Sequence, residues 1–193
     1  MKILIDNGHG CDTPGKRSPD ARLREYAYAR EIAHMVVETL RSKGYDAQRI
    51  VTEEDDISLK ERCRRVNAVC RQYGSKNVLL VSIHNNAAGA DGKWKKAQGW
   101  SAHISLNASL ASKTLARSLI KAADEQGLKI RTYSPEQPYW HQNLAICRDT
   151  LCAAVLTENL FQDNKEDVSY LMSDEGKQTI TALHVNGIID YLS

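Results

Sequence analysis

No stretch of this chain is apolar for anything near the ~20 residues a membrane-spanning helix needs, so no such helix is expected within it. Charge of one sign is also scarce. Lys and Arg number 26 against 24 Asp and Glu, and a formal net charge of +2 gives no pull toward nucleic acid or an anionic membrane. The N-terminus lacks the layout of a secretory leader, because Met1-Lys2 runs straight into Ile3-Leu4-Ile5. The site of action is therefore left open between the cytoplasm and delivery by another route. The five cysteines are odd in number and irregular in spacing, which argues against a disulfide framework and for a reduced compartment. Repeats, low-complexity tracts and Pro/Gly/Ser-rich linkers are missing. One domain over residues 1–193, long enough to bury a sizeable core, is the expectation.

What is present is an alternation of apolar runs and amphipathic stretches. Ile3-Leu4-Ile5 leads to Asp6-Asn7-Gly8-His9-Gly10, Val78 to Ile83 leads to His84-Asn85-Asn86, and Ala153 to Thr157 leads to Glu158. Short branched runs of this kind read as buried parallel strands. Pro14, Gly15 and Pro19 mark a loop after the first strand. A helix is expected from about Arg24 to Lys43, with Ala29, Ile32, Ala33, Val36 and Leu40 on one face and Gly44 as its stop. Tyr45 to Val51 reads as a strand. Ser58-Leu59-Lys60-Glu61 is a capping box that opens a helix carrying Leu59, Cys63, Val66, Cys70 and Tyr73 at alternating spacings of four and three, with Gly74 as its stop. On that helix Arg62, Arg64 and Arg65 read as a solvated basic face. Trp100 to Ile104 and Leu144 to Cys147 read as further strands, Cys147 and Cys152 flank a turn, and Gly127 to Gln142 is irregular. Phe161 to Asp167 reads as a loop, and helices are expected near Leu110 to Ala122 and Asp174 to Leu192. The pattern predicts an α/β fold: a mostly parallel twisted sheet of about six strands with helices on both faces.

In an open α/β sheet, function gathers beyond the carboxyl ends of the strands. Two histidines and a glutamate stand at three such ends. A catalytic zinc takes about three protein ligands and keeps a position open. His9 and His84 meet only if their strands are neighbours. For the third ligand Glu25 is favoured, since it opens the first helix after the Gly/Pro loop, with Asp6, Asp12, Asp20 and Cys11 as competitors. Bound zinc lowers the pKa of its water and polarises a carbonyl, and the proton then needs a base. Glu158, partly buried at a strand end, suits that part. His34, His103 and His184 are left as structural.

Taken together, these residues resemble the zinc-dependent N-acetylmuramoyl-L-alanine amidases. The resemblance rests on Asp6-Asn7-Gly8-His9-Gly10, on Glu25 in Leu23-Arg24-Glu25-Tyr26, on Ser82-Ile83-His84-Asn85-Asn86, and on Val155-Leu156-Thr157-Glu158 followed by Phe161 and Asn164. Ser58 to Arg62, Val66-Asn67-Ala68, and Arg148 ten residues before Glu158 add to it. It implies one zinc per chain held by His9, Glu25 and His84, with Glu158 as base. It also implies hydrolysis of the amide between the lactyl group of N-acetylmuramic acid and L-alanine of the stem peptide. Peptidoglycan or muramyl peptides are then the partners, and a monomer is expected. Cys11, Cys152-Ala153 and Leu160 depart from the family's usual Gly, Pro and Gly. Some members carry a long insertion after the fourth strand that blocks the zinc. Here only Ser105-Leu106-Asn107 intervenes, so an open site is expected, as in a phage-type lysin. Arg148, Arg131, Trp140 and Asn85 are the candidate substrate contacts. The rival readings are another zinc peptidase or carboxypeptidase on this architecture, which needs an arginine beside the metal, and a non-catalytic wall-binding domain.

Overall fold

The three apolar runs become three adjacent central strands. The computed structural model describes residues 1–193. Its strands are β1 (Lys2–Asn7), β2 (Asp46–Arg49), β3 (Val78–Asn86), β4 (Ser101–Ile104), β5 (Trp140–His141) and β6 (Ala153–Phe161), in one sheet of order β2-β1-β3-β6-β4-β5. β1 pairs parallel with β2 and β3, β3 with β6, and β4 with β5. β4 reverses, pairing antiparallel with β6, and β5 runs with it. The sheet is therefore mixed and mostly parallel, as the alternating pattern requires.

Alternation along the strands sends side chains to two cores. Ile3, Ile5, Leu79, Val81, Ile83 and Val155 face α1 (Glu25–Ser42), α3 (Leu110–Glu125) and α6 (Asp174–Leu192). Leu4, Leu80, Ala154 and Leu156 face the smaller core under α2 (Leu59–Tyr73) and α4 (Ala145–Arg148). Both faces are covered, which is why the central strands are apolar on both sides. α1 buries Tyr28, Ala29, Ile32, Ala33, Val36, Val37 and Leu40 and stops before Gly44, whose φ of +85° is the left-handed conformation glycine adopts freely. Ser58 caps α2 by accepting from the Glu61 amide at 3.3 Å, and Ser109 caps α3 by accepting from Ser112 at 3.1 Å. No helix is long and apolar enough to cross a membrane.

Four local expectations are corrected. Leu144 to Cys147 is not a strand. Ala145–Arg148 forms the short helix α4, whose Ile146 and Cys147 pack on the α2 side of the sheet. The edge strand is instead Trp140–His141, within the segment expected to be irregular. Phe161 to Asp167 is not all loop: β6 runs to Phe161, and Asn164 caps α5 (Lys165–Leu171) by accepting from the Glu166 and Asp167 amides. Arg62 is not on a solvated face. It is 2% exposed and lines a cleft together with His9, His84 and Glu158.

Candidate active site

β1 ends in a turn that gives His9 a φ of +61°, a left-handed backbone that costs a non-glycine residue energy and persists only when its surroundings hold it. Two arginines hold it. The His9 carbonyl accepts from Arg30 Nη1 at 3.0 Å and from Arg62 Nη2 at 3.1 Å. Arg62 also donates to the Asn7 carbonyl at 2.7 Å, Asp6 Oδ1 at 2.6 Å, Asp56 Oδ1 at 3.1 Å and the Ile57 carbonyl at 2.7 Å. All of its donors are therefore spent on the turn and its footing. Asp6 takes a further hydrogen bond from Ser82 Oγ at 2.5 Å, which ties β1 to β3 below the site. Gly8 has no room for a side chain, because a Cβ there would collide with the imidazole of His84.

His84 stands beside His9 because β3 lies next to β1. The two rings meet edge to face, with centroids 4.9 Å apart. Glu25, at the first turn of α1, is fully buried between them. Its Oε1 accepts from His84 Nδ1 at 3.1 Å and from the Asn85 amide at 3.0 Å, and lies 3.4 Å from His9 Nε2. Its Oε2 is sealed from solvent without a hydrogen-bond partner, and the Lys16 ammonium stands 3.9 Å away. Donor atoms of His9, Glu25 and His84 all lie within 4.8 Å of one another. A bare carboxylate is this deeply buried only where cations or donors compensate it. Burial alone would raise its pKa, yet hydrogen bonds from His84 and His9 hold it well below the usual carboxylate range. Burial would likewise lower the pKa of His84, but Glu25 outweighs it and the net shift is upward. Two imidazoles, one ionised carboxylate and an orphaned carboxylate oxygen suit a divalent cation of the zinc type, with a coordination position to spare.

Glu158 faces this cluster from β6, since its Cα is the register partner of His84. Just beyond it the ladder slips: Asn86 pairs with Phe161, and Leu160 takes a φ of +61°. This is a β-bulge beside the site. Burial pushes the Glu158 carboxyl up to about 7, with the Glu25 charge adding to the rise and His84, Lys16 and Arg131 opposing it. Its Oε2 has no partner. A carboxyl poised there exchanges protons near neutral pH. Above the cluster lies a cleft of about 390 Å³, with Lys16, Ser58 and Arg62 on its polar side and Leu59, Leu144, Ile146 and Leu156 on its apolar side.

The structure thus brings His9, Glu25, His84 and Glu158 together. The competing ligands go elsewhere. Asp6 is taken by Arg62 and Ser82, Asp12 accepts from the Asp56 amide, and Asp20 accepts from Ser18 and Arg22. Cys11 forms a separate, more exposed group with Asp12 and Asp55. Among the substrate candidates, Asn85 is buried and its side-chain amide donates to the Asn159 carbonyl at 2.6 Å, joining β3 to β6. Arg148 is exposed, holds Asp149 and Asn143, and does not line the cleft. Arg131 and Trp140 sit on the β4–β5 side. The guanidinium lies 5.7 Å from the Trp140 ring and 4.7 Å from that of Phe161. Sequence reasoning missed Arg30, Arg62 and Lys16. Arg62 had a signal, because a buried acid at Asp6 demands a counter-charge.

The family profile described as N-acetylmuramoyl-L-alanine amidase matches residues 3–190. The endolysin of Bacillus phage SPP1 is 28% identical over 193 residues, covering 99% of this chain and 66% of that protein. A sporulation-specific N-acetylmuramoyl-L-alanine amidase of Bacillus subtilis is 25% identical, covering 97% of this chain and 67% of that protein. The chain spans about two thirds of the length of these curated relatives. An N-acetylmuramoyl-L-alanine amidase from Clostridium difficile 630 superposes with a TM-score of 0.82 at 26% identity, over 100% of this chain and 96% of that one. The amidase Ami1 of Mycobacterium abscessus has the same fold, with a TM-score of 0.84 at 18% identity, over 100% of this chain and 99% of that one. The chain belongs to the N-acetylmuramoyl-L-alanine amidase family.

Proposed function

We propose that the chain is a zinc-dependent peptidoglycan hydrolase that cleaves the amide between the lactyl group of N-acetylmuramic acid and L-alanine of the stem peptide. The observation that carries this reading is the convergence of His9, Glu25 and His84, with Glu158 in register opposite His84. Family membership and the names of the relatives support the substrate class.

Zinc held by His9, Glu25 and His84 would supply an acidified water and a Lewis acid for the amide carbonyl. The remaining work falls to the protein. Glu158, as a carboxylate, takes the proton of the attacking water and delivers it to the departing L-alanine nitrogen. A pKa near neutrality suits both transfers, since the same group must accept and then give up the proton. Arg62 and Arg30 hold the backbone of His9, so the imidazole keeps its aim through turnover. The apolar wall of Leu59, Leu144, Ile146 and Leu156 keeps bulk water from one side of the cleft. A carboxypeptidase reading is disfavoured, because Arg62, the guanidinium in the cleft, has no donor left for a substrate's terminal carboxylate.

The test is metal content measured beside lysis of purified sacculi, for the wild type, His84→Ala and Glu158→Gln. We expect about one zinc per chain in the wild type and Glu158→Gln, little in His84→Ala, and release of peptides with a new L-alanine amine by the wild type alone. Chelation abolishes release and zinc restores it. Full activity after exhaustive metal removal would overturn the reading.

A further inference from the structure

The loop after β1 has a second side. Lys16 faces the metal cluster, while its neighbours Gly15 and Arg17 wall a separate cleft of about 340 Å³. The far wall is the chain that leaves β3 and β6, from Ala87 to Lys93 and at Gln162 and Asp163. The two clefts share that loop as a partition.

The floor of this second cleft is polar and fixed. Gln162 is 2% exposed and Asp163 is 5% exposed. Asp163 Oδ2 accepts from the Ala88 amide at 2.8 Å and the Gly89 amide at 3.0 Å, which locks the carboxylate in place. Its Oδ1 is left buried without a partner, and so is Gln162 Oε1. Both residues line the cleft, and buried acceptors in native proteins are nearly always paired, so their two unpartnered oxygens call for a donor from outside the chain. The rim has the opposite character. Arg17 and Lys93 are exposed there, and neither is held in an ion pair, in contrast to Lys95, which is tied to Asp91.

We propose that this cleft is a subsite for the stem peptide beyond the scissile amide. Its floor would accept N–H groups or an ammonium, and its rim would take a carboxylate. The inference rests on the reading of the chain as an amidase acting on muramyl peptides. A neutral glycan strand fits less well, because it carries no charge to meet Arg17 and Lys93, and no aromatic ring lines the cleft for a sugar to stack on. A peptide bearing both carboxylates and amino groups matches the floor and the rim together.

The experiment is an NMR titration of the full chain with the free tripeptide L-alanyl-γ-D-glutamyl-L-lysine, and in parallel with neutral N,N′-diacetylchitobiose. The tripeptide is expected to shift the Gln162 side-chain amide and the Ala88 and Gly89 backbone amides, with an affinity that falls as salt rises. Gln162→Leu, which keeps the bulk but removes both polar atoms, and the exposed double variant Arg17→Ala/Lys93→Ala should each weaken binding about tenfold. Unchanged affinity in both variants, or the same shifts produced by chitobiose, overturns the proposal. Hydrolysis of muramyl peptides by the wild type is scored separately. If it is missing while the tripeptide still binds at Gln162, the amidase reading fails and the subsite stands. If hydrolysis is present and the variants bind normally, the subsite alone is lost.

Discussion

Gly8 shows how closely single residues set this site. A methyl group at that position would run into the His84 imidazole, and β3 cannot retreat because it is locked between β1 and β6. The ring must give way. Gly8→Ala is therefore expected to fold, with a melting temperature within a few degrees of the wild type, but to bind zinc at least tenfold more weakly. Metal content after dialysis against graded chelator checks this, and wild-type zinc retention would refute the packing argument. At this scale the sequence was readable where a polar residue closed an apolar run. His9, His84 and Glu158 each closed an apolar run, although β1 stops at Asn7 while β3 runs on to Asn86 and β6 to Phe161, and Glu25 opened a helix beside them. Arg62 was obscured by its neighbours. Arg64 does pair with Glu61 at the surface, and Arg65 bridges Glu61 and Glu53. Arg62 lies next to buried Cys63 and four residues before buried Val66, so the helical turn carries it inward to Asp6.

Among the elements, β6 carries a local cost. Leu160 adopts a left-handed backbone at the bulge while its side chain is buried in the larger core. Glycine there would relieve roughly 1–2 kcal/mol of backbone strain. Removing a buried leucine side chain costs about 3–5 kcal/mol. The second effect wins, so Leu160→Gly should destabilise the chain by about 1–4 kcal/mol, read from a lowered urea midpoint; a stabilised variant would mean the bulge, not the packing, dominates. The elements misread from sequence were the short ones. Leu144 to Cys147 is apolar enough for a strand, but four residues do not separate strand from helical turn, and contact with α2 decided for the turn. Trp140–His141 pairs over two residues only, too few to leave a period. α5 did announce itself, through Asn164 as a cap with Asp167 three positions on, but the segment between was too polar to stand out. Long periodic helices and buried strands were legible because their burial repeats over many residues.

For the molecule as a whole, acid should be the weak side. Burial pushes both His103 and His184 down to about 4, below the ordinary value of 6.5. His184 is neutral with a defined tautomer, its Nδ1 donating to the Ile180 carbonyl at 2.6 Å and its Nε2 accepting from Thr157 at 2.9 Å. Between those pH values the unfolded chain binds two protons that the folded chain refuses, so their stabilisation is complete above pH 6.5 and is lost on the way down to 4. Glu158, raised to about 7, acts the other way, because the folded state takes its proton first. Two against one leaves a net loss of about 1.4 kcal/mol per pH unit between about 6.5 and 4.5. Urea unfolding at each pH, with chelator present, measures it. Glu158→Gln should make the slope steeper by removing the opposing group, and a slope unaffected by that substitution would contradict this account.

The shared rung of His84 and Glu158 carries a mechanical consequence. The ring proposed to hold the metal and the carboxyl proposed to carry the proton sit on neighbouring rails of the same ladder, with no hinge between them. Their spacing is fixed when the central strands zip together. It cannot breathe open and shut with the surrounding loops, so substrate must come to a jaw that is already set.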